Sequence, residues 1–249
     1  METELKEHFQ KLWKQYFPGA EWPIAFYYTD DAGHGKPAPA ADEWRCLIGD
    51  LAAVRKGNSL CFEADSIGCG GGRRYLGYAH DIQEGFEFFL SCGIPGKMEG
   101  IRLKKTPELV SESIMRQPLF EAPARYIVFK RWDRLDEGDE PLAVIFFASG
   151  DAMAALHSLA TFDESDTNAV IAPSGSGCSS IVYHPYRELD SDRPRAVIGM
   201  FDISARPYVP AATLTFAVPW PKFVTMAGNM AESFLITEGW DKIKKRIKS

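Results

Sequence analysis

Two cysteine loops are the part of this chain best suited to chemistry. Cys69 lies within residues 68–76, a stretch too rich in glycine for the interior of a helix or strand. Glycine lets backbone N–H groups converge on a ligand, because no Cβ atom blocks the approach. Residues 174–180 repeat the pattern around Gly177 and Cys178. The pattern predicts one site built twice, or one site to which both loops contribute.

Three cysteines are candidate metal ligands: Cys46, Cys69 and Cys178. Three thiolates with a fourth ligand or an open position would suit zinc or an iron–sulfur cluster. The chain lacks a Cys-x-x-Cys pair, however, so simple packing of small apolar side chains stays an alternative. Cys61 and Cys92 lie in apolar runs, and we expect both to be buried in the core.

A reactive thiol is the third interpretation, and it centres on Cys69 as a catalytic nucleophile. Loop N–H groups and the guanidinium of Arg73 or Arg74 would stabilise its thiolate and lower its pKa. Nucleophilic catalysis would also need a base. No histidine has a spacing that marks it as one; His184, six residues after Cys178, is the most interesting of the five.

The glycine-rich loop also resembles an anion site. Gly70, Gly71 and Gly72 offer backbone donors, and Arg73 and Arg74 follow directly. Such groups suit a carboxylate or phosphate, so we expect a small anionic molecule or cofactor as the ligand. The run matches neither the phosphate-binding loop nor the dinucleotide fingerprint. A tight connection with arginines facing water is the alternative.

Tyrosines and one further arginine could complete a pocket. Tyr75 and Tyr183 flank the two loops and would supply an amphipathic wall, unless they are scattered surface residues. Arg206 would clamp a carboxylate, with Asp202 orienting it. The alternative for Asp202 and Arg206 is a local ion pair that holds their loop.

Composition excludes several classes of protein. A net charge of −6 over 249 residues argues against a nucleic-acid binder that relies on a general positive field. The longest apolar run, residues 142–148, is far shorter than a membrane helix. Five cysteines do not make a disulfide scaffold, and the charged N-terminus lacks a signal core. We therefore expect a cytoplasmic protein with free thiols.

The elements that position these loops read as an α+β fold with a mixed β-sheet and flanking helices. Residues 1–20 contain an N-terminal amphipathic helix, residues 21–120 a first half and residues 121–249 a second half, packed as one globular unit. Asp42 is expected to cap a helix that carries Cys46. A strand at residues 59–63 leads into the Cys69 loop.

The two halves repeat their order of elements, which suggests an internal duplication. A gap-free alignment from helix to loop matches Leu47 with Leu156 and Cys69 with Cys178. Chance similarity between strand–helix–strand units is the alternative.

Several motifs together resemble one known family. They are the strand with Pro-x-Ala, residues 44–47 around Cys46, the run 68–77 with Gly-Cys-Gly-Gly and Tyr-Leu-Gly, the lone Cys178, and residues 202–206. In these, the chain resembles the prokaryotic domain-of-unknown-function family 169, from about Trp22 to Leu235. Where we expect Cys-x-Gly-Gly, this chain has glycine at the free position. The family has no agreed activity, so the resemblance implies an architecture and draws attention to the cysteines.

Three functions follow from these observations. The first is a small-molecule or cofactor-binding protein, for which a metal or cluster on the three cysteines is one form of the site. The second is a thiol-dependent enzyme that uses Cys69 on a small anionic substrate. The third is a partner subunit whose cysteines only pack; a homodimer is a further alternative for the assembly.

Overall fold

A computed structural model describes residues 3–81 and 84–247. The α-helices are α1 (Thr3–Tyr16), α2 (Leu47–Arg55), α3 (Gly70–Tyr75), α4 (Phe86–Phe89), α5 (Pro107–Met115), α6 (Gly150–Ala160), α7 (His184–Arg187), α8 (Trp220–Asn229) and α9 (Glu238–Ile243). The strands are β1 (Ile24–Thr29), β2 (Lys36–Pro37), β3 (Leu60–Phe62), β4 (Gly93–Ile94), β5 (Met98–Glu99), β6 (Tyr126–Arg131), β7 (Ala143–Ala148), β8 (Val170–Ile171), β9 (Ala196–Gly199) and β10 (Leu214–Pro219).

Within the described residues, eight strands form one mixed sheet in the order β2-β3-β6-β1-β7-β10-β9-β8. The strands pair antiparallel except at the two edges, where β2 pairs parallel with β3 and β8 with β9. The expectation of an α+β fold with a mixed sheet is confirmed. β4 and β5 form a separate small hairpin.

Helices cover both faces of the sheet, because its central strands are apolar on both sides. In β1, Ala25 and Tyr27 face one core, whereas Ile24 and Phe26 face the other. The first core is covered by α1, α6, α8 and α9. The second is covered by α2, α3 and a π-helical turn, Ser179–Tyr183. Both cysteine loops therefore lie over the same face.

Helix α1 forms because its apolar residues recur at helical spacing. Phe9, Leu12, Trp13 and Tyr16 are buried on one side, and the ring of Phe9 packs edge-on against Trp132. The predicted N-terminal helix is confirmed for residues 3–16; residues 1 and 2 lie outside the described ranges. This helix packs on the shared sheet.

The strand order repeats between the two ends of the sheet. From the centre outwards, β1, β6, β3 and β2 follow the same order and directions as β7, β10, β9 and β8. β6 lies beyond the boundary predicted after residue 120, yet it pairs between β1 and β3. Helices α2 and α6, which the gap-free alignment equates, cover opposite faces. The gap-free alignment therefore does not pair structurally equivalent helices. The relation between two halves stays a prediction.

A buried ionic cluster lies on the face of the sheet away from the cysteine loops. The Asp139 carboxylate is buried and accepts hydrogen bonds from Lys130 Nζ at 2.8 Å and from the peptide N–H of Asp136 at 2.7 Å. The Tyr27 hydroxyl also donates to it, and His34 Nδ1 lies 3.1 Å away. The cluster joins β1 and β6 to the connections beyond them.

None of the helices in the described ranges combines the length and apolar character needed to cross a bilayer.

Candidate functional site

The two cysteine loops meet at a cavity of about 250 Å³. Cys46, Cys69 and Cys178 all line it. Its other wall comes from α4 and the β4–β5 hairpin, a region that carries no motif indicating a site. The apolar lining residues are Trp44, Ile48, Phe86, Phe89, Leu90, Met98 and Ala205.

Each of the three cysteines lies at the beginning of a helix. Cys46 directly precedes α2, and Cys69 directly precedes α3. Cys178 precedes the π-helical turn Ser179–Tyr183. The prediction that Asp42 caps a helix containing Cys46 is wrong, because α2 begins at Leu47. The peptide N–H of Arg45 instead donates to the Gly68 carbonyl, which holds this segment extended beside the Cys69 loop.

Cys69 is held where its sulfur accepts several hydrogen bonds. The Gly72 N–H donates to Sγ at 3.3 Å, the Leu47 N–H also donates to it, and so does the Cys178 thiol. The hydrogen bond from Cys178 has the largest effect on the Cys69 pKa; burial opposes it. Together these interactions lower the pKa of Cys69 to about 6. Cys69 is therefore a thiolate at neutral pH.

Cys178 is the protonated member of this pair. Its hydrogen bond to Cys69 and its burial both raise the pKa of its thiol well above the ordinary value. Burial also raises the pKa of Cys46, although N–H groups of Gly49 and Ile48 act in the opposite direction. The negative charge is placed on Cys69 because Cys178 is the more deeply buried sulfur.

Asp202 positions the second loop. This carboxylate is buried, lines the cavity and accepts a hydrogen bond from the Gly177 N–H at 3.1 Å. It also accepts from the backbone and the hydroxyl of Ser204. The sequence interpretations assigned Asp202 to Arg206, either as its ion-pair partner or as the group that orients it. Neither interpretation predicts the hydrogen bonds from Gly177 and Ser204. Only the proximity of Asp202 to the Cys178 loop in the fold reveals this function.

Glycine is required at two points where the loops pack closely. A Cβ atom at Gly72 would lie 2.9 Å from the Cys69 sulfur, and one at Gly177 would lie 3.0 Å from Ile48 Cγ1. Both distances are tighter than ordinary contacts. A Cβ atom at Gly71, in contrast, would meet nothing within 4 Å, although Gly71 lines the cavity. The three predicted glycines Gly70, Gly71 and Gly72 all belong to the cavity wall.

Five predicted ligand residues are placed away from the cavity lining. Arg73 Nε donates to the Ile67 carbonyl at 2.9 Å, and buried Arg74 donates to the carbonyl of His80 at 2.8 Å. The guanidinium of Arg206 binds three backbone carbonyls within its own loop, at Pro210, Ala211 and Thr213. These arginines hold loops together through the backbone carbonyls that they bind, although the buried Nε of Arg74 has no hydrogen-bond partner among the described residues.

The two predicted tyrosines pack beneath the loops. Their ring centroids are 5.7 Å apart, and their hydroxyls bind adjacent residues of one connection. Tyr75 donates to Gln117 Oε1 at 3.0 Å, and Tyr183 donates to the Pro118 carbonyl at 2.6 Å. They support the cavity floor from behind. The remaining charged groups on the lining are the carboxylates of Asp202 and Glu84.

The other cysteines and the histidines are positioned outside the cavity lining. Cys61 is buried as expected, but Cys92 is exposed, so the prediction that it packs in the core is wrong. Cys92 directly precedes the β4–β5 hairpin, whose strand residues belong to neither core of the large sheet, so no described layer of the fold covers it. All five histidines belong to the described ranges, and none lines the cavity. His184 is half-buried away from this cavity, and its partial burial lowers its pKa to about 4.

The residues do not form a recognisable metal centre. Among residues 3–81 and 84–247, no three His, Cys, Asp or Glu side chains are arranged so that they could hold a metal ion. Cys46, Cys69 and Cys178 share a cavity, but their present arrangement is that of a hydrogen-bonded thiol pair with a third thiol nearby.

The fold and the site together define a class: α+β proteins with a mixed sheet and a thiol-lined cavity between two loops. The chain belongs to the DUF169 family, described as uncharacterised ArCR, whose family model matches residues 20–229. This confirms the resemblance found in the sequence. Comparison with curated proteins and with solved structures gives no match.

Proposed function

We propose that this protein binds a small, mainly apolar molecule in the cavity and presents the Cys69 thiolate to it as a nucleophile. The observation that carries the proposal is the position of Cys69 on the cavity wall, with its sulfur accepting hydrogen bonds from Cys178 and Gly72. A thiolate stabilised at neutral pH beside a partly open, mainly apolar cavity is typical of a reactive cysteine.

The lining favours an apolar ligand over the anionic one expected from the sequence. Seven apolar side chains line the cavity, and its charged lining groups, Asp202 and Glu84, are both acidic. The thiolate of Cys69 adds a third negative charge. A ligand with a carboxylate or phosphate would be repelled by these groups. The arginines that suggested an anion bind backbone carbonyls instead.

The chemistry follows from the thiol pair. The Cys69 sulfur would donate an electron pair to an electrophilic atom of the ligand, forming a bond to sulfur and moving a pair onto the displaced or polarised group. The thiol proton of Cys178 is in hydrogen-bond contact with Cys69 and is the nearest source for protonating that group. We expect a reducing cytoplasm as the setting, because it keeps both thiols free.

A metal-binding function is the weaker candidate. It would use Cys46, Cys69 and Cys178 with zinc or iron–sulfur, and the described residues would have to rearrange to give three convergent ligands. The thiol-pair geometry already present favours the nucleophile.

The test fills the cavity without disturbing the fold. Gly71→Leu would project into the cavity from a helical position with open space around Cβ. Gly228→Leu is the matched control, since Gly228 is also helical, also has open space and lies in α8 on the opposite face. Both changes favour the helix by about 0.5–1 kcal/mol. The readout is the labelling rate of Cys69 by N-phenylmaleimide, with Cys92→Ser removing the exposed thiol.

We expect Gly71→Leu to slow labelling by about tenfold or more, equivalent to ~1.4 kcal/mol of lost binding. Gly228→Leu should label at the parent rate. The parent rate should also saturate as the maleimide concentration rises, because the reagent binds before it reacts. Equal rates in both leucine variants, with no saturation, would contradict binding in this cavity.

A further inference from the structure

We infer that Cys69 and Cys178 act together as a dithiol that reduces the disulfide bond of a small, uncharged molecule. The inference rests on the proposed function, because it uses the same cavity and the same nucleophile. It adds a second reacting residue, Cys178, and a substrate class.

The first observation is contact between the two sulfurs. Helix α3 and the π-helical turn, which follow Cys69 and Cys178 respectively, pack against each other, and both cysteines line the cavity. The Cys178 thiol is a hydrogen-bond donor to the Cys69 sulfur, so the two sulfur atoms are neighbours. A disulfide needs them at about 2 Å. Cys69 precedes α3 with extended backbone angles, so its side chain is not enclosed within a helical turn.

The second observation is an asymmetry in burial. Cys69 and Cys178 both line the cavity, but Cys69 is half-buried whereas Cys178 is only 5% exposed. A molecule in the cavity therefore meets Cys69 first. Cys178 can reach the sulfur of Cys69 but is shielded from solvent. This order is the one that an attacking and a resolving cysteine require.

The reaction balances in two steps. The Cys69 thiolate attacks one sulfur of the substrate disulfide, forms a mixed disulfide and releases one substrate thiolate. That thiolate takes the Cys178 proton, and the Cys178 thiolate then attacks the Cys69 sulfur. The second substrate thiolate leaves and takes a proton from water. The substrate disulfide is reduced to two thiols, and the protein dithiol is oxidised to one disulfide. An external dithiol reductant would restore the protein for another cycle.

The lining sets the substrate class. Asp202 is buried within the lining and Glu84 lies at the cavity, so a disulfide that carries carboxylates would meet like charges. The aromatic side chains of Phe86 and Phe89 favour uncharged groups. 2-Hydroxyethyl disulfide is a suitable neutral probe, and dithiodiglycolate is its dianionic counterpart.

The test follows the products in the Cys92→Ser protein, which lacks the exposed thiol. With 2-hydroxyethyl disulfide, we expect peptide mapping to find a Cys69–Cys178 disulfide and two equivalents of mercaptoethanol in solution. When Cys178→Ser is introduced into this protein, the reaction should stop at a mixed disulfide on Cys69, with one equivalent of mercaptoethanol released. Addition of Cys69→Ser should abolish the rapid reaction. Dithiodiglycolate should react with the same protein at least about tenfold more slowly than 2-hydroxyethyl disulfide does.

Two results would overturn the inference and leave the proposed function intact. One is a stable mixed disulfide on Cys69 while Cys178 is still present. The other is a disulfide between Cys69 and Cys46, which would identify a different resolving thiol. If Cys69 reacts with neither the disulfide probes nor N-phenylmaleimide, both the inference and the proposed function fail.

Discussion

Replacing Cys178 with alanine is expected to raise the pKa of Cys69, because it removes the hydrogen bond with the largest effect. Cys69 then keeps the N–H groups of Gly72 and Leu47, and burial opposes them. The pKa should return from about 6 towards the ordinary thiol value of about 8.5. Cys178→Ser, which retains a hydroxyl donor, should give a smaller rise.

The size of the effect depends on pH because a thiolate of lower pKa is also a weaker nucleophile. At pH 5.5 the thiolate fraction of Cys69 in the variant would be roughly 240-fold lower than in the parent. Each thiolate of the variant would react about 10- to 18-fold faster, because its sulfur is more basic. The net loss is about 20-fold. At pH 7 the same calculation gives only about a twofold loss, and above pH 9 the variant should react faster than the parent. The two profiles should therefore cross.

The assay is the rate of Cys69 alkylation by iodoacetamide between pH 5 and pH 10, followed by peptide mass spectrometry. Cys92→Ser serves as the parent for all variants, and the alkylation rate of the denatured protein gives the reference profile. The expected midpoint is about 6 in the parent. A parent midpoint near 8.5, or a Cys178→Ala profile that overlays the parent, would refute the assignment of the thiolate to Cys69.

Two further predictions concern stability and the packing around the site. Gly72→Ala places a methyl carbon 2.9 Å from the Cys69 sulfur. It should lower the free energy of unfolding, measured in urea, by about 1–3 kcal/mol and shift the pH midpoint of Cys69 alkylation. An unchanged midpoint would contradict tight packing between Gly72 and the Cys69 sulfur. At Asp139, burial raises the pKa but hydrogen bonds led by that of Lys130 lower it further, so the folded value is below the unfolded one. The carboxylate therefore stabilises the protein above the unfolded pKa of about 3.9, and this stabilisation is lost as the pH falls through the folded value. Lys130→Met should cost about 3–5 kcal/mol at pH 7 and move acid unfolding to higher pH; acid unfolding at the parent pH would contradict it.

The sequence identified the loops because their composition has a local structural cause. Glycine at positions 70–72 is compatible with close approach of a backbone, and a Cβ at Gly72 would indeed crowd the Cys69 sulfur. The prediction that the Cys69 and Cys178 loops contribute to one place agrees with their shared cavity. Helix α1 could also be predicted from the sequence, because its apolar residues recur at regular helical spacing.

The sequence could not predict the direction in which the arginine side chains point. Arg73, Arg74 and Arg206 follow a plausible anion pattern, but each binds backbone carbonyls that only the folded loops bring within reach. The start of α2 depends similarly on a long-range contact, since Arg45 bonds to Gly68 in the other segment. Charge and spacing cannot report such contacts.

The far wall of the cavity was missed for a related reason. Phe86 and Phe89 belong to a short aromatic run without a binding motif, and Met98 lies in a short hairpin with no motif. Their contribution to the cavity depends on how the 84–98 segment lies over the Cys69 loop. Asp202 was noticed in the sequence, yet its bond to the Gly177 N–H depends on tertiary structure.

The most direct measurement is the order in which the free thiols react at pH 7. The wild-type protein is treated with limiting iodoacetamide, and each cysteine is quantified by peptide mass spectrometry. Cys69 should be alkylated first, ahead of the more exposed Cys92, because it is already a thiolate. If Cys92 reacts first and Cys69 reacts no faster than in the denatured protein, the cavity does not contain an activated thiol.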